Sequence, residues 1–311
     1  MKLTISLVTG ALTDPILTGK TKIEGVEIDA RTATTVDGNS RGMLELKFDV
    51  AEMSLATFVK ARDDGVKVIG LPVFTGRRFL ESGIGVRPQL GIKDPRQLAG
   101  KRIGVPQFWM TSSVWHRAVL SEVYGVPQNA VTWITVQPER FTLAWPAGLK
   151  VEHHEGGSLD AMLQKGEIDA VLFPRAIEHH FAPTTAVSPF ADIVAAQRAF
   201  LDKTKVFPIM HFVVMREALH RENPGLARRI VAAFDAAKRG MLRDPASIPA
   251  HDLPFHGADF AYGRGALGED PWPYGVAANR NVLEWFLARA HAQGLTRTRL
   301  APKDLFVEGE D

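Results

Sequence analysis

The sequence predicts an α/β protein in which mostly parallel sheets are flanked by helices. Short apolar runs, typical of buried strands, alternate with stretches in which apolar residues recur every three to four positions. This alternation is typical of α/β folds, because each helix carries the chain back to start the next parallel strand. The chain has 311 residues, 45% of them hydrophobic, which is enough for more than one core. We therefore expect two domains.

Each element follows from a local pattern. Apolar runs predict strands at residues 2–8, 26–32, 66–74, 101–107, 130–136 and 210–216, and "FDVAEMS" leads into a helix that ends at Gly65. Helices are predicted at 112–125, 224–244 and 277–294, and the second of these has the apolar spacing of an amphipathic helix. Gly125 is a typical C-terminal cap, and Ser158 is a typical N-terminal cap for a helix that precedes a further strand, "IDAVLFP".

The composition excludes several classes of protein. Basic and acidic residues nearly balance, 37 against 35, and no basic block occurs, so we expect no nucleic-acid partner. Cysteine is absent, which excludes disulfides, thiolate chemistry and cysteine-based metal sites. No run of about 18 apolar residues occurs, so we expect no membrane partner. The apolar run after Met1 is too short for a signal-peptide core. We therefore expect a cytoplasmic protein, and a homo-oligomer stays open.

Two extended segments, at residues 79–100 and 202–215, look like connections between domains rather than between neighbouring elements. If both cross, the first domain is discontinuous and consists of residues 1–83 plus 207–311. The second domain is then residues 84–206. Two crossings beside a cleft are the hinge design of periplasmic-type binding proteins.

Several phrases in one order resemble the 4,5-dihydroxyphthalate decarboxylase family. They are "FDVAEMSL" (48–55), "PVFTGRRF" (72–79), "GKRIGVPQFWMTSSVWHRAVLSEVYGV" (100–126), "GEIDAVLFPRA" (166–176), "FPIMH" (207–211) and "DPWPYGVAANRNVLEWF" (270–286). The resemblance implies a two-lobed, type-2 periplasmic-binding-protein-like fold with mixed or parallel sheets. It also implies loss of CO₂ from a hydroxylated aromatic dicarboxylate held between the lobes, without an organic cofactor.

The sequence departs from the family pattern at two places. Family members often carry a Tyr-Asp-Arg run after the first strand, where this chain reads "VTGALTDP". They often have His before the Ser of the first crossing, where this chain has Glu81. The reaction class therefore persists with a changed substrate, or the chain is a relative with different ring chemistry.

Decarboxylation of an aromatic dicarboxylate needs a grip on a carboxylate, and the planar fork of arginine suits that task. Arg41 and Arg78 match family positions and are candidate clamps, although Arg41 is equally a surface residue at a helix start. Arg77 and Arg78 are adjacent in an extended segment and should point opposite ways, and the resemblance favours Arg78.

The reaction also needs a proton donor to the ring carbon and a base toward a ring hydroxyl. His211, at the second crossing, is the candidate donor because its ordinary pKa is near neutral. Glu52 is the candidate base, with a helix-start carboxylate as its alternative role. Ser54, at the helix start, and Ser82, at the first crossing, are candidate substrate contacts.

The motif "GVPQFWMTSSVWHRAVL" places a loop before a helix N-terminus, where N–H groups and hydroxyls can hold an anion. We predict substrate contacts from Gln107, Met110, Thr111 and Ser112, with simple N-capping as the alternative. Arg175, after a later strand, is predicted to contact the substrate or the other lobe. We interpret His116 as a surface residue of the helix.

The loop "DPWPYG" before the last helix contains two aromatic residues and two prolines within one turn. Prolines fix the backbone, and Trp272 and Tyr274 then present flat apolar faces. We predict that both wall the aromatic substrate. The alternative is that the loop covers a core.

Residues 153–155 and 178–180 each place histidine and glutamate side by side. Sequence neighbours cannot all bind one ion without a special turn, so we predict no metal site. A metal that grips a catechol-like substrate stays open. Our first hypothesis is a cofactor-independent decarboxylase. The alternative is a solute-binding protein for an aromatic carboxylate that feeds an ABC-type transporter, and the fold alone cannot separate the two.

Overall fold

The computed structural model describes residues 1–33, 35–141, 143 and 145–307. In chain order its strands are β1 (Lys2–Val8), β2 (Glu27–Ala33), β3 (Val50–Ser54), β4 (Val68–Gly70), β5 (Gly76–Arg77), β6 (Ile84–Val86), β7 (Arg102–Val105), β8 (Thr132–Thr135), β9 (Lys150–His153), β10 (Ala170–Leu172) and β11 (Ile209–Arg216). Its helices are α1 (Asp14–Leu17), α2 (Val36–Leu44), α3 (Leu55–Asp63), α4 (Thr111–Tyr124), α5 (Leu159–Lys165), α6 (Ile193–Thr204), α7 (Glu217–Glu222), α8 (Leu226–Arg243), α9 (Phe260–Leu267) and α10 (Val276–Ala292). Within those ranges no helix combines the length and hydropathy that a membrane crossing requires.

The chain folds into two compact units. Unit 1 comprises Met1–Arg78, Ile209–Ala288 and the described part of Thr296–Asp311, and unit 2 comprises Phe79–Pro208 and Arg289–Leu295. The sequence analysis puts the first boundary after residue 83 and the second before residue 207. The observed boundaries lie within five residues of these, and a short stretch near the C-terminus additionally joins unit 2.

Unit 1 is built on a mixed sheet with the order β2-β1-β3-β11-β4, and β5 also pairs with β11. β1 is parallel to β2 and β3, whereas β11 is antiparallel to β3, β4 and β5. One face of this sheet is covered by α8, whose apolar stripe includes Ile230, Phe234 and Ala237. The carboxyl ends of β1 and β3 therefore lie together at one edge.

Unit 2 is built on a second mixed sheet with the order β6-β10-β7-β8-β9. Its strands are parallel except for β6, which is antiparallel to β10. α5 packs on this sheet through Leu159, Met162 and Leu163. The two mixed sheets with flanking helices confirm the predicted fold class.

Local chemistry explains several helix ends. Gly125 ends α4 in the left-handed conformation, with φ at 66°. The Ser158 side chain accepts a hydrogen bond from the Ala161 N–H at 3.3 Å and so caps α5. The sequence analysis overextends the strand at residues 66–74, of which only β4 is regular, and it misses β9, α6 and α9.

The C-terminal segment of unit 1 is fastened to the end of α3. The Asp63 carboxylate accepts the backbone N–H groups of Arg297 and Thr298 at 3.0 and 3.1 Å, and the Thr298 hydroxyl at 2.9 Å. Burial would raise the pKa of Asp63, but these hydrogen bonds outweigh burial and leave the pKa below its ordinary value. The segment then forms a parallel bridge from Phe306 to Gly70.

Candidate active site

Glu52 and His211 lie on one face of the unit 1 sheet. In the antiparallel register of β3 and β11, His211 is opposite Ser54 and Glu52 is opposite Val213. Opposed residues share a face, so the Glu52 and His211 side chains are diagonal neighbours. His211 Nδ1 lies 3.6 Å from Glu52 Oε1, with the Glu52 side chain 5% exposed and the His211 side chain 26% exposed. The pair therefore consists of a buried carboxylate and an imidazole with access to solvent.

The Glu52 carboxylate is held on both oxygens. The Thr75 hydroxyl donates to Oε1 at 2.7 Å, and the Val8 N–H donates to Oε2 at 3.1 Å. One donor on each oxygen fixes the orientation of the carboxylate. Oε1 also lies 3.6 Å from His211 Nδ1. Glu52 is thus placed to orient the His211 ring.

Ser54, the predicted contact next to this pair, is bound internally. It occupies the N-cap position of α3, its N–H donates to Ser40 Oγ at 3.1 Å, and its hydroxyl donates to Thr57 Oγ1 at 2.7 Å. It lies opposite His211 in the sheet register. The structure therefore brings Ser54 beside His211, with its hydroxyl committed to Thr57.

Of the two adjacent arginines, Arg77 is buried in unit 1. It donates to Asn279 Oδ1 and to the Pro273 carbonyl. Burial lowers the pKa of Arg77 to about 9. Arg78, the predicted clamp, is half-buried. The sequence motif does not reveal the role of Arg77, because its partner Asn279 is 202 positions away.

The "DPWPYG" loop packs on unit 1, and this packing explains why the loop contains a buried aromatic residue. Trp272 is 3% exposed and stacks on Phe260, with ring centroids 6.0 Å apart. The buried Lys238 ammonium donates to the Trp272 carbonyl at 3.1 Å and to the Asp270 carboxylate. For Trp272 the geometry favours the alternative role, in which the loop covers a core.

Tyr274 is partly buried against the same core. The Lys238 Nζ atom lies 4.0 Å from the centroid of its ring, a cation–π geometry. Burial raises the pKa of the Tyr274 hydroxyl, and this oxygen has no hydrogen-bond partner among the described residues. The Tyr274 hydroxyl therefore remains a candidate for a hydrogen bond to a ligand.

Arg41 is exposed on α2 and pairs with Asp37, one helical turn away, at 2.8 Å. The position favours its alternative role as a surface residue. We expect Arg41→Ala to change KM and kcat by less than about twofold and the free energy of unfolding by less than about 0.5 kcal/mol, because exposed ion pairs contribute little. Steady-state kinetics and urea unfolding check this. A rise in KM of tenfold or more would instead support the predicted role of Arg41 as a carboxylate clamp.

In unit 2, the loop between β7 and α4 is held by the segment that follows β8. The Gln107 side-chain amide donates to the Pro138 carbonyl at 2.5 Å. Met110 occupies the N-cap position of α4, and its side chain forms no cap hydrogen bond. Thr111 and Ser112 are buried in the first turn, and the Ser112 hydroxyl has no hydrogen-bond partner among the described residues. The predicted residues are together here, and their contact with substrate stays a prediction.

Next to this loop lies a buried arginine, Arg117, which the sequence patterns do not indicate. Arg117 is 1% exposed, donates to the Phe108 carbonyl and to Gln293 Oε1, and lies 3.6 Å from the centroid of the Phe108 ring. Burial lowers the pKa of Arg117 to about 9. The aromatic residues around position 108 are the signal that could have indicated it, because arginine stacks on such rings.

Two buried titratable groups lie at or against the first crossing, Glu81 within it and His116 on α4. Glu81 is fully buried, its two oxygens have no hydrogen-bond partner among the described residues, and burial raises its pKa to about 7. His116 is also fully buried, which corrects its interpretation as a surface residue. Its Nε2 lies 3.0 Å from the Leu80 carbonyl, and burial lowers its pKa to about 4. Ser82 is buried beside Glu81.

The remaining candidates are Arg175 and the two His–Glu clusters. Arg175 is exposed after β10. His154 is exposed beside Glu152, at 3.6 Å, and His153 Nδ1 lies 2.9 Å from the Thr135 hydroxyl. In the parts of the chain that the structure describes, no three His, Asp or Glu side chains form a group suited to a metal ion.

Comparisons with known proteins bear on both sequence and fold. A sequence model of the family described as "ABC transporter, phosphonate, periplasmic substrate-binding protein" matches residues 16–235. A 4,5-dihydroxyphthalate decarboxylase from Comamonas testosteroni is 34% identical over 303 residues, which cover 94% of this chain and 92% of that protein. A protein of the same name from Pseudomonas putida is 35% identical over 170 residues, or 52% of this chain and 66% of that protein.

Solved structures extend the fold comparison. The aliphatic sulphonate-binding protein SsuA from Escherichia coli has a TM-score of 0.55 and 13% identity, covering 100% of this chain and 94% of SsuA. The desulfurization enzyme DSZB has a TM-score of 0.56 and 17% identity, covering 99% and 97% of the two chains. At such identities the likeness bears on the fold alone. It is a type-2 periplasmic-binding-protein-like fold, as the sequence predicts.

Proposed function

Because the chain belongs both to the 4,5-dihydroxyphthalate decarboxylase family and to the phosphonate-binding-protein family of ABC transporters, we propose that it is a carboxy-lyase. The substrate is a hydroxylated aromatic dicarboxylate like 4,5-dihydroxyphthalate, and the products are protocatechuate and CO₂. The relatives from Comamonas testosteroni and Pseudomonas putida carry the name of this activity. We further propose that the reaction needs no organic cofactor and no metal.

The observation that carries a mechanism is the Glu52–His211 pair. A carboxylate leaves an aromatic ring as CO₂ when the ring carbon that bears it accepts a proton. In 4,5-dihydroxyphthalate a hydroxyl lies para to each carboxylate, so its oxygen donates electrons toward that carbon. The imidazolium of His211 gives its proton to this carbon. The carbon–carboxylate bond then breaks, and its electron pair restores the aromatic ring. One carboxylate and one proton are consumed for each CO₂ released.

The contacts of Glu52 favour a role beside His211 over the role of a base toward a ring hydroxyl. Its oxygens face Thr75, the Val8 N–H and His211, and the side chain is buried. A carboxylate held in this way fixes the orientation of the neighbouring imidazole. We therefore propose Glu52 as the partner of His211 rather than as the base toward a ring hydroxyl.

The carboxylate that stays on the ring needs a binding group. The carboxylate that leaves as CO₂ should be bound less tightly, because equal binding of both would also stabilise the ground state. Arg78 is half-buried at the end of the unit 1 segment that precedes the first crossing, at a position that matches the family motif. We propose Arg78 as this binding group. Thr111 and Ser112, in the first turn of α4, stay predicted substrate contacts.

The proposal is tested by CO₂ release from the purified, chelator-treated protein. The substrates are 4,5-dihydroxyphthalate, several hydroxylated aromatic acids, and phthalate as a control that lacks electron-donating hydroxyls. Release from a hydroxylated acid without added metal, and none from phthalate, is the expected result. Tight binding with no release from any acid would reject the decarboxylase and favour the solute-binding protein, whose fold this chain shares.

The setting of the reaction is also a proposal. We place the protein in the cytoplasm and in phthalate catabolism, because this reaction consumes an aromatic dicarboxylate and yields a dihydroxylated monocarboxylate. No nucleic acid or membrane partner is required for such chemistry. Cell fractionation with an antibody to the chain checks the location, and recovery in the periplasmic fraction would reject it.

A further inference from the structure

Two consecutive residues at the start of β5 contact the Glu52–His211 pair. Thr75 lies immediately before β5, and its hydroxyl donates to Glu52 Oε1 at 2.7 Å. Gly76 is the first residue of β5 and is paired with His211 in the register of β5 and β11. Two consecutive residues thus reach the carboxylate and the imidazole separately.

The Thr75 hydroxyl determines where the Glu52 carboxylate points. Without it, Oε1 would keep only the His211 contact, at 3.6 Å, and the carboxylate would be held by the Val8 N–H alone. A single hydrogen bond leaves a carboxylate free to rotate, whereas one donor on each oxygen fixes its plane. The fixed plane holds Oε1 beside His211 Nδ1.

Gly76 provides the space in which the His211 ring lies. A Cβ atom on Gly76 would be 2.9 Å from His211 Nδ1 and 3.2 Å from its Cβ and Cγ atoms. The first distance is shorter than real Cβ contacts allow, so any larger residue would displace the imidazole. The backbone of Gly76 does not require a positive φ, and space is therefore its role here.

We propose that Thr75 and Gly76 are positioning residues for His211. Thr75 orients Glu52 so that His211 carries a proton on Nδ1, and Gly76 lets the ring approach the carboxylate. His211 Nε2 is then the atom that exchanges its proton with the substrate. This role rests on the proposed decarboxylation for its kinetic consequence, but the state of the imidazole is measurable without turnover.

The direct test is the tautomer of His211, read from imidazole ¹⁵N shifts in labelled protein at a pH where the ring is neutral. We expect the Nδ1–H form to dominate in the native protein and in Thr75→Ser, which keeps the hydroxyl. Thr75→Val removes the hydroxyl at nearly constant shape and should give a mixture of tautomers. A single unchanged tautomer in Thr75→Val would overturn the role of Thr75.

The kinetic test uses the same variants. Thr75→Val should lower kcat about tenfold while KM stays within about twofold, because a hydrogen bond to a charged group is lost. Thr75→Ser should restore the native kcat. The matched control is Thr298→Val, which removes another threonine-to-carboxylate hydrogen bond in unit 1, at Asp63. An equal fall in kcat for the control would show a general loss of stability.

Gly76→Ala tests the second half of the proposal. We expect shifted His211 ring signals and a fall in kcat of about tenfold. Gly240→Ala is the control, since a Cβ atom on that α8 glycine meets nothing within 4 Å. Unchanged His211 signals in Gly76→Ala would overturn the role of Gly76. If the native protein releases no CO₂, the proposed function fails, and the ¹⁵N shifts still decide whether Thr75 and Gly76 position the ring.

Discussion

Replacing His211 with alanine is expected to lower the rate of CO₂ release by about 10²–10⁴-fold, the usual contribution of a general acid. Substrate binding should change little, because the imidazole acts on the ring carbon and not on the retained carboxylate. The physical reason is the placement of His211: it is the partly exposed member of a pair whose buried member is a carboxylate held by two donors. Single-turnover rates and calorimetric binding of 4,5-dihydroxyphthalate measure the two effects separately.

Two further variants sharpen this experiment. His211→Gln keeps a hydrogen-bonding side chain but cannot deliver a proton near neutral pH, so it should be as slow as His211→Ala. His220→Ala is the matched control, since His220 is a half-buried histidine of α7 in the same unit and should retain the native rate. A native rate in His211→Ala would remove His211 from the mechanism, even if the protein is a decarboxylase.

Glu81→Gln is expected to change how unit 2 stability depends on pH. Burial raises the pKa of Glu81 from 4.5 to about 7, so the folded state holds the proton more tightly than the unfolded chain. The contribution of Glu81 to the free energy of unfolding is therefore full below about pH 4.5, falls as pH rises, and is lost above about pH 7. The shift corresponds to a loss of about 3 kcal/mol across this window.

The measurement is urea unfolding at several pH values, followed by the fluorescence of the buried tryptophans of unit 2. The difference in unfolding free energy, variant minus native, should rise by about 3 kcal/mol between pH 4.5 and pH 8. Glu122→Gln is the control, because Glu122 is an exposed residue of the same unit whose ion pair with Arg289 is screened by solvent. A difference that stays constant with pH would show that Glu81 is ionised in the folded protein.

His116 makes the expected profile distinctive. Burial lowers its pKa from 6.5 to about 4, so its contribution is full above about pH 6.5 and is lost as pH falls toward 4. The slopes of Glu81 and His116 have opposite signs between about pH 4.5 and 6.5. The native protein should therefore show a flatter stability profile in this range than the Glu81→Gln variant shows.

The features that the sequence predicts well depend on neighbours in the chain. The caps Gly125 and Ser158 and the amphipathic stripe of α8 are set by residues within a few positions. The fold class follows from the alternation of such elements. His211 and Glu52 could be selected as candidates because chemistry limits which residue types donate protons, and the register of β3 and β11 does bring the two together.

The features that the sequence does not reveal depend on distant partners. Nothing near Arg77 in the chain indicates that it turns toward Asn279, and nothing near His116 indicates that its ring meets the Leu80 carbonyl. Thr75 is an ordinary loop residue until β3 brings Glu52 within 2.7 Å of it. Similarly, the aromatic residues of "DPWPYG" suggest a substrate contact. The sequence does not show that Lys238 binds the backbone of this loop and holds it on unit 1.

The division of unit 1 among three chain segments has a consequence for synthesis on the ribosome. β11 lies inside the unit 1 sheet, between β3 and β4, so strands made first must wait for residues made more than a hundred positions later. Nearly all of unit 2 is one continuous stretch and can fold in the meantime. We therefore expect the order of folding to invert the order of translation. Unit 1, with the Glu52–His211 pair, forms last, when the long loops that join its strands close.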